Sequence, residues 1–257
     1  MSEQPVLHCD RLYKTYPNGK VAVEDVSLTI HRGETHGLVG ESGSGKSTMA
    51  RMALMLDRPT SGSISFLGEK ISDLTPRQLR PRRHAMQLVM QDPIAALNRN
   101  KSVGHTIELP LVLHTSFSPE ERKARVAELM DLVELEGELT TRHPSELSGG
   151  QCQRVGIARA IALNPELVVL DEAVSSIDVV VQAQILNLLK DLQASLGLTY
   201  LFVSHDLAVV KYMSHTMTVM KSGRVEEQGV CEEIFRSTQN TYTQGLIAAV
   251  PVLGPVS

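Results

Sequence analysis

The chain has 257 residues, of which 42% are hydrophobic and 21% are charged, and its formal net charge at pH 7 is −4. This composition is ordinary for a globular protein, and the length allows one large domain or two lobes. Because the net charge is negative, the protein as a whole has no positive electrostatic field that would attract nucleic acid or anionic lipid. No apolar run approaches the roughly 18 residues of a membrane span.

Targeting and redox signals are also absent from the sequence. The first ten residues have no apolar core flanked by basic residues, so we expect no secretory signal. Cys9, Cys152 and Cys231 are far apart and lack the spacing of metal or redox sites, which predicts reduced thiols in the cytoplasm. We therefore expect any role at a membrane to depend on a partner.

The segment from Gly40 to Thr48, GESGSGKST, fits the phosphate-loop pattern G-x-x-x-x-G-K-[ST]. It follows a β-rich stretch over residues 5–31 and a short buried strand predicted over residues 37–39, and it precedes a predicted helix over residues 49–56. Inward backbone N–H groups and a helix N-terminus predict an anion site. Lys46 would contact the β- and γ-phosphates, and Ser47 would ligate magnesium. The predicted nucleotide contacts of this loop are Gly40, Glu41, Ser42, Gly43, Ser44, Gly45, Lys46, Ser47 and Thr48.

Two residues outside this loop, one before it and one after it in the chain, are further candidates for nucleotide or magnesium contacts. Tyr16 precedes a Pro-Asn-Gly turn upstream of it, where an aromatic ring could stack on adenine or could be an ordinary strand aromatic. Gln91 follows a predicted strand over residues 85–90, and a glutamine there can reach a bound magnesium or an attacking water. Neither pattern decides the function by itself.

Residues 94–165 are expected to be mainly helical. Apolar spacing predicts a helix over residues 119–136, with Ser118 as its cap and Gly137 as its end. Another helix is predicted over residues 152–163, after the pentapeptide LSGGQ.

The pentapeptide LSGGQ spans residues 147–151. Ser148 would cap the following helix, and the two glycines would expose its first N–H groups. This pattern predicts either a second anion-binding helix start or simply a well-capped helix.

Two acidic residues follow the apolar strand predicted over residues 167–170. Asp171 would hold magnesium, and Glu172 would polarise the attacking water, a general-base role typically worth about 10²–10⁴ in rate. The alternative is an acidic strand end that caps a turn. We favour the catalytic interpretation because the order and spacing fit a nucleotidase.

The last third of the chain alternates helix and strand signals. Asp178 is placed to start a long amphipathic helix and Gly197 to end it. A strand over residues 199–203 delivers His205 at its carboxyl end, where ligands of parallel sheets bind, although a lone histidine is more often structural. A hairpin over residues 216–228 and short helices over residues 231–236 and 241–250 follow.

Together these motifs resemble the ATPase subunit of an ABC transporter along nearly the whole chain. The ordered set comprises the phosphate loop 40–48, Gln91, LSGGQ 147–151, LVVLDE 167–172, residues 175–178 and His205.

The resemblance implies an α/β fold, with a RecA-like P-loop NTPase core, an antiparallel β subdomain and a helical insertion carrying LSGGQ. It implies one ATPase domain over residues 1–257. Residues 1–92 and 164–237 would form the nucleotide-binding core with the β subdomain, residues 93–163 the helical subdomain, and residues 238–257 a short C-terminal helix or tail.

The resemblance also implies roles for individual residues. Tyr16 would stack on adenine, His205 would contact the γ-phosphate, and the loop ending at Asp178 would cross a dimer interface. The catalytic residues implied are Lys46, Gln91, Glu172 and His205. The magnesium ligands implied are Ser47, Gln91 and Asp171. Further nucleotide contacts implied are Tyr16, Gln91, Ser148, Gly149, Gly150, Gln151, Asp178 and His205.

The cofactors implied are ATP and Mg²⁺. The partners implied are a second ATPase subunit, identical or different, packed head to tail, two transmembrane permease subunits, and indirectly a solute-binding protein. No nucleic acid is expected. The chain is expected at the cytoplasmic face of the inner membrane, attached through the permease.

Two stretches narrow the resemblance to ATPases of dipeptide, oligopeptide and nickel importers, namely MQDPIAALN at 90–98 and TYTQGLIAAVP at 241–251. Ala173 stands where the family usually has proline, and Ser176-Ile177 replaces the common Ala-Leu, but neither change removes a group needed for chemistry. The cysteine-bearing tail of many peptide-importer ATPases is missing, so no iron–sulfur cluster is expected.

Three alternative functions share part of this motif pattern. A DNA-maintenance ATPase would need a long coiled coil between Gln91 and Leu147, and no heptads are sustained there. A non-transport ATPase in cofactor assembly or scaffolding remains open, because fold alone does not determine function. Export is also possible, although the local resemblance favours import.

Overall fold

The computed structural model describes residues 4–175 and 177–249. They divide into two compact units. The first comprises the described residues up to Leu74 and from Tyr200 onward, and the second is Thr75–Thr199. The subdomain boundaries expected from the sequence stay a prediction. The C-terminal helix was predicted to reach Val250, which lies outside the described residues, as does Ser176.

The secondary structure alternates strands and helices along the described residues. The strands are β1 (Leu7–Thr15), β2 (Val21–Ile30), β3 (Thr35–Val39), β4 (Ser61–Phe66), β5 (Glu69–Lys70), β6 (Met86–Val89), β7 (Leu167–Asp171), β8 (Thr199–Ser204), β9 (Thr216–Lys221) and β10 (Arg224–Val230). The helices are α1 (Lys46–Ala53), α2 (Pro76–Leu79), α3 (Val103–His114), α4 (Pro119–Leu132), α5 (Gly149–Ile161), α6 (Val179–Leu196), α7 (Leu207–Met213), α8 (Cys231–Ser237) and α9 (Thr241–Ala248). Short 3₁₀ segments cover Arg80–Ala85, Gly137–Thr141 and Pro144–Glu146.

The first unit contains two kinds of sheet. β2, β1, β4 and β5 lie in that order in an antiparallel sheet. β3 lies between β8 and β9 and runs parallel to both, and β10 pairs with β9 as the predicted hairpin. Every residue of β3 is buried, as expected of a central parallel strand that is covered on both faces. This strand leads directly into the glycine-rich loop.

The second unit is mainly helical. Its strands β6 and β7 run parallel, and α3 packs against α4 and α5. Ser118 and Ser148 begin α4 and α5 with reciprocal capping boxes, which confirms both predicted caps. Asp178 caps α6, and Gly197 ends it with a φ of 66°, as predicted. No helix among the described residues combines the length and apolarity needed to cross a membrane.

The predicted ends of α1 and α4 are wrong for one shared reason. α1 runs from Lys46 rather than from residue 49 and stops at Ala53, and α4 stops at Leu132, well before Gly137. Both helices close with the 6→1 and 5→2 hydrogen bonds of a Schellman motif. The left-handed position is occupied by Met55 (φ 51°) in α1 and by Glu134 (φ 55°) in α4. Glycine is the usual signal for this position, so the sequence pattern did not reveal either end.

His36 is the titratable residue of the buried strand β3. Its side chain is 1% exposed, and burial lowers the pKa of the imidazole to about 4. Nδ1 lies 2.8 Å from the Thr216 hydroxyl, and Nε2 lies 2.9 Å from the Thr218 hydroxyl. Because the Thr216 hydroxyl donates its hydrogen to Glu34, it can only accept from Nδ1, which assigns the proton of the neutral ring to Nδ1.

We expect the free energy of unfolding to decrease as the pH falls from about 6.5 to about 4, because the unfolded histidine takes up a proton before the buried one does. The contribution of the neutral His36 to the free energy of unfolding is complete above pH 6.5 and is lost by pH 4. It amounts to about 3 kcal/mol. Urea unfolding at stepped pH values measures it.

His36→Gln should flatten this part of the stability profile, since glutamine can still bond to the threonines but does not titrate. His31→Gln, at an exposed histidine, is the matched control and should leave the slope in place. An identical slope in wild type and His36→Gln would contradict this assignment.

Candidate nucleotide site

The glycine-rich loop connects β3 to α1 in very little space. A Cβ atom on Gly40 (φ 146°) would lie 2.1 Å from the carbonyl oxygen of Met220. A Cβ atom on Gly45 (φ 105°) would lie 2.4 Å from the carbonyl oxygen of Ala22. Only glycine fits both the left-handed backbone and these close approaches. The loop therefore packs directly against the neighbouring backbone at Met220 and Ala22.

Lys46 places a buried cation inside this loop. The residue is 4% exposed, and its Nζ atom donates hydrogen bonds to the carbonyl oxygens of Gly40 at 2.7 Å and Glu41 at 2.9 Å. Lys46 is also the first residue of α1, so its charge adds to the positive end of the helix. A buried ammonium at a helix start favours an anion such as a phosphate.

Ser44 adds a further polar group to the loop. Its Oγ atom is buried and finds no hydrogen-bond partner among the described residues. Leaving such a group unsatisfied costs about 1–3 kcal/mol, and an oxygen-rich ligand bound in the loop could relieve that cost. Its carbonyl oxygen accepts a hydrogen bond from the Gly223 N–H at 2.9 Å, which anchors the loop to the β9–β10 turn. This donor chemistry fits a phosphate group.

Tyr16 lies beside the phosphate loop. It follows the last residue of β1, and its hydroxyl oxygen is 3.4 Å from both Thr48 Oγ1 and Asp57 Oδ2. The Lys14 amine lies 5.3 Å from the centroid of its ring. The hydrogen bond from Arg51 is the main cause that lowers the pKa of Asp57. The structure thus brings Tyr16 to the predicted nucleotide site from 32 positions upstream of Thr48.

His205 reaches the same edge of the first unit. Val39 of β3 pairs with Ser204 of β8, and both strands run parallel. His205 therefore follows β8 at the level where the phosphate loop leaves β3. Its side chain is exposed, and the next residue, Asp206, caps α7. This position suits a contact to the terminal phosphate of a nucleotide.

The second unit brings Gln91 and the acidic pair to one edge. Val89 of β6 pairs with Leu170 of β7, so the exposed Gln91 and the half-buried Asp171 and Glu172 follow parallel neighbouring strands. Glu172 has a φ of 49°, a left-handed conformation that is uncommon for a residue with a side chain. Such strain is concentrated at functional positions.

The LSGGQ segment starts α5 in the same unit. The Ser148 hydroxyl accepts from the Gln151 N–H at 3.2 Å, and the Gln151 side chain accepts from the Ser148 N–H at 2.9 Å. Gly149 is exposed, and a Cβ atom on Gly150 would lie 2.5 Å from Val181 Cγ1. The glycine thus allows the start of α6, capped by Asp178, to approach the start of α5.

The predicted site residues therefore fall into two sets. The first unit holds the phosphate loop, Tyr16 and His205, and the second holds Gln91, the LSGGQ segment, Asp171, Glu172 and Asp178. Sequence reasoning missed Tyr242, whose hydroxyl contacts the phosphate loop, because the segment around it suggested only a subfamily.

Comparisons with known proteins identify the family of this chain. The family model described as "ABC transporter" matches residues 23–175. A putative peptide import ATP-binding protein of Brucella abortus is 52% identical over 231 residues, covering 90% of this chain and 69% of that protein. The dipeptide transport ATP-binding protein DppF of Escherichia coli K12 is 42% identical over 262 residues, covering 98% of this chain and 78% of DppF.

Solved structures with the same fold include a dimeric, post-hydrolysis state of the ATP-binding cassette MJ0796 bound to ADP and Pi. It has a TM-score of 0.80 and 34% identity, covering 88% of this chain and 98% of that one. CbiO1 of Clostridium perfringens, part of the transporter complex CbiONQ, has a TM-score of 0.83 and 30% identity, covering 91% of each chain. The predicted α/β fold class is confirmed. The chain belongs to the ABC transporter family, as one of its ATP-hydrolysing subunits.

Proposed function

We propose that this chain powers the import of peptides by binding and hydrolysing ATP at the cytoplasmic face of a membrane, attached there through permease subunits. The main support is the 52% identity to a protein named for peptide import, extending over 90% of the chain. The relatives reported above are named for peptides and none of them for nickel, so we propose peptides as the cargo class.

ATP would bind first to the phosphate loop of the first unit. The Lys46 amine would keep its hydrogen bond to the Gly40 carbonyl oxygen and exchange the Glu41 carbonyl oxygen for phosphate oxygens, while the loop N–H groups surround the phosphates. Tyr16 would stack on the adenine, since its ring already lies beside the loop.

Magnesium would be held by Ser47, Gln91 and Asp171. All three offer oxygen ligands, which suit Mg²⁺, and Asp171 is the one carboxylate among them, as expected of an ion that usually binds through one or two carboxylates together with phosphates and waters. When bound, the ion would neutralise charge that develops on the phosphates. Ser47 is exposed in the first turn of α1, and Asp171 and Gln91 follow parallel strands of the second unit.

Glu172 would accept the proton of the attacking water, and His205 would stabilise the terminal phosphate. A second ATPase subunit, identical or different, would close the site with its own LSGGQ segment, where Ser148, Gly149 and Gly150 would face the γ-phosphate. The dimeric state of MJ0796 with ADP and Pi supports this arrangement. ATP would then hold the dimer closed, and hydrolysis would let it open.

The permease would dock on the second unit. Exposed apolar side chains lie on α3 and in the segments that precede and follow it in the chain, and exposed apolar patches mark interaction sites. They are Met90, Ile94, Leu109, Val112, Leu113 and Phe117. A solute-binding protein would deliver the peptide to the permease and would not touch this chain.

Lys46→Ala should weaken ATP binding by about 10- to 100-fold, because hydrogen bonds to charged groups contribute about 1.5–3 kcal/mol. Equilibrium titration with ATP measures the loss. Lys20→Ala, at an exposed lysine, is the control and should bind as wild type does. Unchanged affinity in Lys46→Ala would remove Lys46 from the site.

Glu172→Gln should bind ATP normally but hydrolyse it about 10²–10⁴ times more slowly, because the amide cannot accept the proton of the attacking water. The side chain keeps its size, so the unusual backbone at this residue is retained. Turnover and nucleotide affinity are measured together, with Glu138→Gln at an exposed position as the control. Wild-type turnover in Glu172→Gln would exclude Glu172 as the base.

The function itself is tested on the native membrane complex isolated through this chain. Peptides presented by the binding protein should stimulate ATP hydrolysis, and nickel chelates should not. Stimulation by a chelated metal alone would overturn the peptide assignment. If no membrane subunit is isolated with the chain, the importer proposal fails in favour of a non-transport ATPase.

A further inference from the structure

The C-terminal helix α9 is fastened to β10 by hydrogen bonds at its first turn. Asn240 caps the helix by accepting from the N–H groups of Tyr242 at 2.9 Å and Thr243 at 3.0 Å. The Asn240 Nδ2 atom donates to the Glu226 carbonyl oxygen at 3.1 Å. The cap therefore defines the position of Tyr242 relative to the sheet.

Tyr242 contacts the phosphate loop directly. Its hydroxyl oxygen accepts a hydrogen bond from the Glu41 N–H at 3.4 Å. This N–H belongs to the same peptide unit as the Gly40 carbonyl oxygen, which accepts from Lys46 Nζ at 2.7 Å. Because a peptide unit is planar, a hydrogen bond at one end orients and polarises the other end. Gly40 has no side chain, so hydrogen bonds at the two ends set the orientation of this peptide.

The ring of Tyr242 is itself restrained by Lys221. The Lys221 amine lies 4.4 Å from the ring centroid, within the range of a cation–π interaction. Lys221 ends β9, and the turn that follows holds the loop through the hydrogen bond from Gly223 to Ser44. Burial raises the pKa of Tyr242, so the hydroxyl stays neutral. The tyrosine and the turn thus support the loop from neighbouring points.

We propose that Tyr242 is a positioning residue for nucleotide binding, which orients the Gly40–Glu41 peptide and thereby the Lys46 amine. Without the hydroxyl this peptide can rotate, and the amine samples more positions. Ordering the amine against the phosphates then costs more conformational entropy. The inference rests on the proposed role of the phosphate loop, and it assigns a nucleotide-related role to the C-terminal helix.

The test is calorimetric titration of the 257-residue chain with ADP, which is not hydrolysed. Tyr242→Phe keeps the ring over Lys221 and removes only the hydroxyl. The dissociation constant should rise about 2- to 5-fold, the effect of one long and partly exposed hydrogen bond. Tyr212→Phe, at a half-exposed tyrosine of α7, is the matched control and should bind as wild type does.

A double variant separates positioning from a general structural effect. In the Lys46→Ala background, Tyr242→Phe should change the dissociation constant by less than about twofold, because the group that it positions is gone. Thermal unfolding of Tyr242→Phe should match that of wild type. An equal loss with and without Lys46 would overturn the proposal, and so would unchanged affinity in the single variant.

These outcomes are distinct from failure of the nucleotide site itself. That failure would show as an absence of ADP binding in wild type, or as unchanged binding in Lys46→Ala, and either would overturn both proposals. Sensitivity to Lys46→Ala with no sensitivity to Tyr242→Phe would overturn only the positioning role of Tyr242.

Discussion

The buried ammonium of Lys46 is the charge on which the proposed nucleotide site depends. It is held by two carbonyl oxygens of a loop that is too tightly packed for side chains at Gly40 and Gly45. A charge buried in this way needs partners, and in the structure the loop itself supplies them. The Glu41 carbonyl oxygen can be exchanged for phosphate oxygens while the Gly40 carbonyl oxygen still holds the amine in place for an anionic ligand.

The loop in turn depends on elements far away in sequence. The β9–β10 turn anchors it through Gly223, and α9 reaches it through Tyr242. The strand that precedes the loop is β3. Its neutral His36 makes hydrogen bonds to two threonine hydroxyls of the neighbouring strand β9. The geometry of the proposed phosphate site therefore depends on several elements of the first unit that are distant in sequence.

Local chemistry explains which features could be predicted. The caps at Ser118, Ser148 and Asp178 follow from side chains that bond to N–H groups three residues away, and the structure has all three. The ends of α1 and α4 were predicted wrongly, because the left-handed residues that follow them, Met55 and Glu134, are not glycine. Glu172 was predicted because it belongs to the acidic pair that follows an apolar strand. Its left-handed backbone conformation became visible only in the structure.

The sequence by itself determined the family, the order of the motifs and the identity of the phosphate loop, because these depend on residue types at short and regular spacing. Only the tertiary structure decided which groups hold the loop and satisfy the buried polar atoms. His36 meets Thr216 across 180 positions, and Glu41 meets Tyr242 across 201. No local pattern encodes such contacts, since they arise when parallel strands and a terminal helix pack into one unit.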